Sequence, residues 1–229
     1  MRESAAGRVA IVAARDEGER IGSTLDALKE AFPGARLLVA DDASTDATGQ
    51  VAMQRGAWVI RRGRRHGKGA NMTAAAQAAL GEFDDGATVL LCDADLGTSA
   101  GRLAALTNAV ESGDWDLAVG SFANPQGGGF GIALGYSRRA VERSCGARLA
   151  APLSGQRAMR LSTLRQLLPF ADGWGMETGM TIDAVRAGLR VSEIELPLEH
   201  RSTGRTPAGF LHRARQLRDI RRAVRLRAR

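Results

Sequence analysis

A chain of 229 residues carrying a formal net charge of +7 is long enough for one α/β domain with a substantial core, and its charge favours anionic partners such as phosphorylated metabolites or an anionic membrane face. Its apolar runs, such as residues 89–92, fall far short of the roughly 20 residues of a bilayer span, and no apolar stretch of a signal peptide follows Met1. Two cysteines, Cys92 and Cys145, make neither a disulfide framework nor a zinc site, and the sparse aromatic content (4%) without a stacking or helix-turn-helix pattern argues against nucleic acid, so the expected location is the cytoplasm, with peripheral contact to the inner membrane face left open.

In chain order, "RVAIVA" (8–13) predicts a first strand, and apolar residues at 21, 25 and 28 predict a helix ending near Pro33-Gly34. "ARLLVA" (35–40) is a second strand running into "DDASTDAT", where Thr45 or Asp46 can cap the next helix. A third strand (57–60) is followed by the basic, glycine-punctuated "RRGRRHGKGAN" and an alanine-rich helix over 71–80. Strand 87–92 ends on "DADL", and a helix over 99–112 leads to strand 116–120. Beyond Gly120 the alternation breaks. "SFANPQGGGFG", "LSGQRAM" and "FADGWGMETGM" read as polar interruptions among helical stretches 132–149, 161–168 and 176–188, before a last strand over 190–201 that exposes His200. This rhythm predicts an α/β fold with an open, mostly parallel central sheet and helices on both faces. Ligands of such sheets gather at the carboxyl ends of the strands, and the polar clusters fall there.

Three clusters carry chemistry. In an extended chain residues i and i+2 point the same way, so Asp93 and Asp95 can both address one point beyond the strand. Hard cations prefer carboxylate oxygens, and Mg²⁺ usually binds through few protein ligands plus substrate phosphates; aspartate at a strand exit is also an ordinary turn former. Asp41 and Asp42 end another strand, where a carboxylate can accept from a base or ribose, or can cap a helix. Lys68 stands among glycines that let backbone approach a phosphate, although neither G-x-x-x-x-G-K-[ST] nor G-x-G-x-x-G is present.

The ordered set "AARDE" (13–17), "DDASTD" (41–46), "GKGAN" (67–71), "DADL" (93–96), "SGQRAM" (154–159) and "GWGMETGMTIDAVRAGLRVSEIELPLEHR" (173–201) resembles family 2 glycosyltransferases of GT-A fold, especially polyprenyl-phosphate sugar transferases. The resemblance implies a GT-A domain over 1–205 and, as residue roles, Glu17 and Asp41 at the uracil or ribose, with Ala13 and Asp42 beside them and Lys68 near the nucleotide. It implies Mg²⁺ or Mn²⁺ on Asp93 and Asp95, Asp95 being the more direct ligand, with His200 as an extra ligand. Arg157 would face the acceptor, and Glu177 would lie at the acceptor rim as a candidate base. Ala13 and Asp16 depart from the family's usual proline and asparagine.

Residues 206–229 form a predicted basic amphipathic helix, with Leu217, Ile220 and Val224 on one stripe and arginines around it. That stripe has three candidate partners: an anionic bilayer, its own domain, or a second copy in a homodimer. The expected activity is metal-dependent transfer of a sugar from a nucleotide-sugar, UDP favoured over GDP, to polyprenyl phosphate with inversion. The alternatives are transfer to a small phosphorylated or carboxylated metabolite such as a glycerate derivative, nucleotidyl transfer, and a non-enzymatic basic module binding membrane or nucleic acid.

Overall fold

The computed structural model describes residues 7–123, 131–199 and 207–228. A seven-stranded sheet is built from β1 (Arg8–Ala14), β2 (Arg36–Asp41), β3 (Trp58–Arg61), β4 (Thr88–Asp93), β5 (Leu117–Phe122), β6 (Arg157–Arg160) and β7 (Val191–Leu196), in the order β3-β2-β1-β4-β6-β5-β7. All neighbours pair in parallel except β6, which runs antiparallel between β4 and β5.

The strands are apolar on both faces because helices cover both. Ala10, Val12, Leu90 and Cys92 point into one core layer with Ile21, Leu25 and Leu28 of α1 (Ile21–Ala31) and Leu106 and Val110 of α4 (Ala104–Glu111). Val9, Ile11, Val89 and Leu91, one residue out of phase, point into the other. There they meet Met72, Ala75 and Ala79 of α3 (Lys68–Glu82), Leu164 of α6 (Leu161–Leu167) and Met180 of α7 (Met176–Arg186). The alanines of α3 let that helix lie close to the sheet. The short α2 (Thr48–Gln54) follows β2, α5 (Ile132–Cys145) packs on α7, and α8 (Pro207–Leu226) closes the far side.

The parallel alternation up to β5 follows the sequence expectation. The "SGQRAM" stretch, expected as a polar interruption, instead supplies β6, whose Ala158 and Met159 are fully buried. The last strand stops at Leu196 rather than continuing to 201, because Pro197 cannot donate to a ladder. On α8, Ile220 and Ala223 are buried against the domain, so packing on its own domain is the partner that the structure shows for this part of the stripe. Arg227 fastens the end of the helix through a two-pronged ion pair to Asp183 of α7 (2.6 and 2.8 Å). No described helix is long and apolar enough to cross a membrane.

Candidate active site

Register brings the acids to one edge. At the carboxyl end of β1, Ala13 pairs with Asp93 of β4 while the next residue, Ala14, pairs with Asp41 of β2. Strand β4 ends at Asp93, so Asp95 stands in the following turn rather than at the next pleat position. The two aspartates are neighbours by a turn, and the extended i, i+2 geometry expected from sequence does not hold.

Asp93 is anchored on two sides. Lys68 Nζ at the start of α3 lies 2.6 Å from its Oδ1, and Gln156 Nε2 donates to its Oδ2 at 2.8 Å while Gln156 Oε1 accepts from the Asp93 N–H at 3.1 Å. Lys68 is shared. Its ammonium is also 2.7 Å from Glu177 Oε1 and 5.8 Å from the centre of the Trp174 ring. Burial works against the Lys68 charge, but the neighbouring Asp93 and Glu177 outweigh it and hold the ammonium well above the usual lysine range. Glu177 is only 2% exposed, in the first turn of α7. Gln156 and Trp174 were not singled out as functional from the sequence. Both sit inside quoted motifs, but only the fold reveals which atoms they reach.

The loops after β1 and β2 are laced together. Asp16 N–H donates to Ser44 Oγ (3.0 Å), Thr45 N–H to Asp16 Oδ1 (2.8 Å), Glu17 N–H to Thr48 Oγ1 (2.8 Å) and Gly18 N–H to Asp46 Oδ2 (2.8 Å). Asp16 and Ala43 hold the left-handed conformation, at φ 52° and 57°, which aspartate tolerates better than alanine does. Asp42 accepts from the N–H groups of His66 (2.8 Å) and Gly67 (3.1 Å), tying the basic loop to the end of β2. Asp41 is fully buried. Its Oδ1 accepts from Ser44 N–H at 2.9 Å, whereas Oδ2 has no hydrogen bond and faces only the Arg61 guanidinium at 3.6 Å.

Arg157 is where the sequence expectation fails. Its side chain is fully buried and donates to the carbonyls of Ser154 (2.9 Å) and Pro152 (3.1 Å) and to Thr181 Oγ1 (3.0 Å). Burial lowers its guanidinium to about 10, still protonated at neutral pH. It joins the 152–157 segment to α7 and presents nothing to a ligand. His200 lies outside the described residues. Among the described residues no cluster of three or more His, Cys, Asp or Glu could by itself enclose a metal ion. A cavity of about 570 Å³ between α5 and α8, lined by Tyr136, Arg139, Arg143, Leu217 and Arg221, contains none of these acids.

A mostly parallel sheet presenting carboxylates, a buried ammonium and glycine-rich loops at its carboxyl edge defines an α/β enzyme of nucleotide-binding type. Residues 9–171 match the profile of glycosyl transferase family 2, and the chain belongs to that family; it is a glycosyltransferase. It is 31% identical over 211 residues to the undecaprenyl-phosphate mannosyltransferase of Micrococcus luteus, covering 85% of this chain and 84% of that one. It is similar in structure to glucosyl-3-phosphoglycerate synthase from Mycobacterium tuberculosis in complex with Mg²⁺ and uridine diphosphate. That likeness has a TM-score of 0.80 at 25% identity and covers 99% of this chain and 80% of the other. The same enzyme with Mn²⁺, UDP-glucose and phosphoglyceric acid superposes with a TM-score of 0.78 at 23% identity, over 99% of this chain and 81% of that one, which shows the shared GT-A fold.

Proposed function

We propose that this protein transfers a sugar from a UDP-sugar, with Mg²⁺ or Mn²⁺, to a small phosphorylated acceptor. The observation that carries the reading is the meeting of Asp41, Lys68 and the Asp93–Asp95 pair, drawn from three separate segments, at one sheet edge. The nucleoside end suits Asp41, whose buried Oδ2 accepts no hydrogen bond and has only the longer 3.6 Å contact to Arg61, leaving it able to accept from a base N–H or ribose O–H, while the laced loops around Glu17 and the Asp42-held Gly67 backbone shape the walls. Ala13, the penultimate residue of β1, is half-buried and pairs with Asp93.

The donor set fits a hard cation. Asp93 spends its oxygens on Lys68 and Gln156, so Asp95 is the carboxylate that would hold the ion, with His200 as a further candidate; a single carboxylate plus diphosphate oxygens is a usual Mg²⁺ set. The ion, when bound, supplies Lewis-acid stabilisation of the negative charge that builds on the departing phosphate oxygen. The protein's own contribution is to place the Lys68 ammonium, locked between Asp93 and Glu177, beside that charge without reorganisation. Glu177, enclosed and in contact with Lys68, serves to position this ammonium better than to take a proton from an acceptor hydroxyl.

The small acceptor draws support from the glucosyl-3-phosphoglycerate synthase likeness, which spans almost the whole chain, and from an α8 stripe that is covered by its own domain at Ile220 and Ala223. A second reading, transfer to a polyprenyl phosphate, is favoured by the 31% identity with the mannosyltransferase. Incubating the purified protein and Mn²⁺ with UDP-glucose or GDP-mannose, and either 3-phosphoglycerate or a short-chain polyprenyl phosphate, separates them by product mass. Glycosylated phosphoglycerate with release of UDP is the expected result. Product on the lipid phosphate alone would replace the first reading with the second, and release of glucose 1-phosphate or mannose 1-phosphate with the nucleotide carried to the acceptor would indicate nucleotidyl transfer.

A further inference from the structure

The 3₁₀ turn Gly173–Gly175 delivers both Trp174 and, three residues later, Glu177 to Lys68. Its amide end has no local cap: neither Asp172 before the turn nor Gly175 before α7 makes a side-chain capping bond. The cap comes from far along the chain. Asp219 Oδ2, on α8, accepts from the Trp174 N–H at 3.4 Å, and its Oδ1 lies 3.5 Å from Arg218 Nε. The carboxylate rests directly on Gly173, which holds φ +56°; a Cβ there would overlap Asp219 Oδ2. One turn further, a Cβ on Gly175 would come within 2.6 Å of Ala223 Cβ and 2.8 Å of the Asp219 carbonyl, so α8 lies against the backbone of the whole turn. Arg222 reaches back toward Asp172 at 3.9 Å. Between residues 201 and 229 the chain holds ten arginines and a single acid, and that acid is Asp219.

We propose that Asp219 is a positioning residue for the transfer reaction: from α8 its carboxylate caps the Gly173–Gly175 turn and so sets Trp174 and Glu177 against Lys68. A carboxylate at the amide end of a helical segment satisfies an orphan N–H and complements the segment's positive end. The basic helix is thereby part of the active centre, although it supplies no group to the ligands. The inference rests on the proposed transfer reaction for its kinetic consequence and on geometry alone for its structural one.

The test uses the full chain with Trp58 and Trp115 replaced by phenylalanine, leaving Trp174 as the only indole. In this background Asp219→Ala is expected to lower kcat by about tenfold, the scale of a small misplacement of reacting groups, and to raise acrylamide quenching of Trp174. The affinity for UDP with Mn²⁺ should change by less than about twofold, since Asp41 and Asp95 are untouched. Asp219→Asn, which keeps an acceptor oxygen, should return kcat and quenching to the parental values. Unchanged kcat and quenching in Asp219→Ala would overturn the proposal, as would a fall in kcat that asparagine does not rescue or that leaves Trp174 equally shielded. Should Asp219→Ala yield no folded protein, Asp219→Asn against Asp219→Glu makes the same comparison, with the longer side chain expected to behave as the alanine was. Quenching requires no turnover, so an inactive protein that still shows alanine-sensitive, asparagine-rescued quenching would retire the reaction and keep the cap.

Discussion

At the residue scale, Lys68 decides most. Its ammonium pairs with two carboxylates, one of them nearly inaccessible to water. Replacing it with methionine leaves Asp93 and Glu177 without the ammonium they share, and removal of one member of a buried ion pair costs about 3–5 kcal/mol. Lys68→Met should show that loss as a lower urea midpoint at unchanged slope, together with loss of transfer. Asp95 stands in the turn beyond the strand. Asp95→Ala is expected to lose at least about a hundredfold in turnover, the scale of a lost Lewis-acid contact. An Asp95→Ala protein as active as the parent would remove the cation from that position. The sequence pointed to both residues, since carboxylates and a lysine at strand ends are visible as letters. It did not reveal that Lys68 bridges Asp93 and Glu177, residues 25 and 109 positions away, because that contact exists only after α3 and α7 pack on the same face of the sheet. Arg157 shows the reverse: the resemblance implied a residue facing the acceptor, yet the side chain is buried and donates to the backbone carbonyls of Ser154 and Pro152.

At the element scale, the entry of α3 is the most tightly built feature. A Cβ at Gly69 would overlap the carbonyl oxygen of Ala171, whereas at Gly81, near the other end of the same helix, a Cβ meets nothing within 4 Å. Gly69→Ala should therefore destabilise by about 2 kcal/mol or more, as forced overpacking does, and lower transfer by moving Lys68. Gly81→Ala should stabilise by about 0.5–1 kcal/mol through helix propensity alone. Chemical denaturation of the two variants checks both signs. The parallel βα units were legible because apolar runs bounded by turn residues repeat at short spacing. The antiparallel β6 was not legible, for it is four residues long and begins with a charged side chain whose burial depends on acceptors supplied by α7 and the preceding loop.

For the whole molecule, pH dependence follows from the acids that join elements. Glu111 is held below the usual carboxylate range first by its hydrogen bond from Arg8, and Asp116 first by that from Arg190. A carboxyl group with a lowered folded-state pKa contributes stability that is complete above its unfolded value and lost as pH falls. Lys68, raised in the folded state, contributes stability present throughout the range below the unfolded lysine value of about 10.4 and lost only at higher pH. Thermal melts should then be nearly flat between about pH 6 and 9 and decline below about pH 4.5. Glu111→Gln should shrink that decline.

The central claim, that acids from separate segments form one site for a nucleoside diphosphate and its cation, is tested most directly by calorimetric titration of UDP into the protein, with Mn²⁺ and with chelator, for the parent and Asp95→Ala. The prediction is saturable one-to-one binding that weakens by at least about tenfold on chelation, equivalent to about 1.4 kcal/mol, and that loses most of its dependence on Mn²⁺ in Asp95→Ala. Equal affinity with and without the cation, or no binding of UDP under either condition, would contradict it.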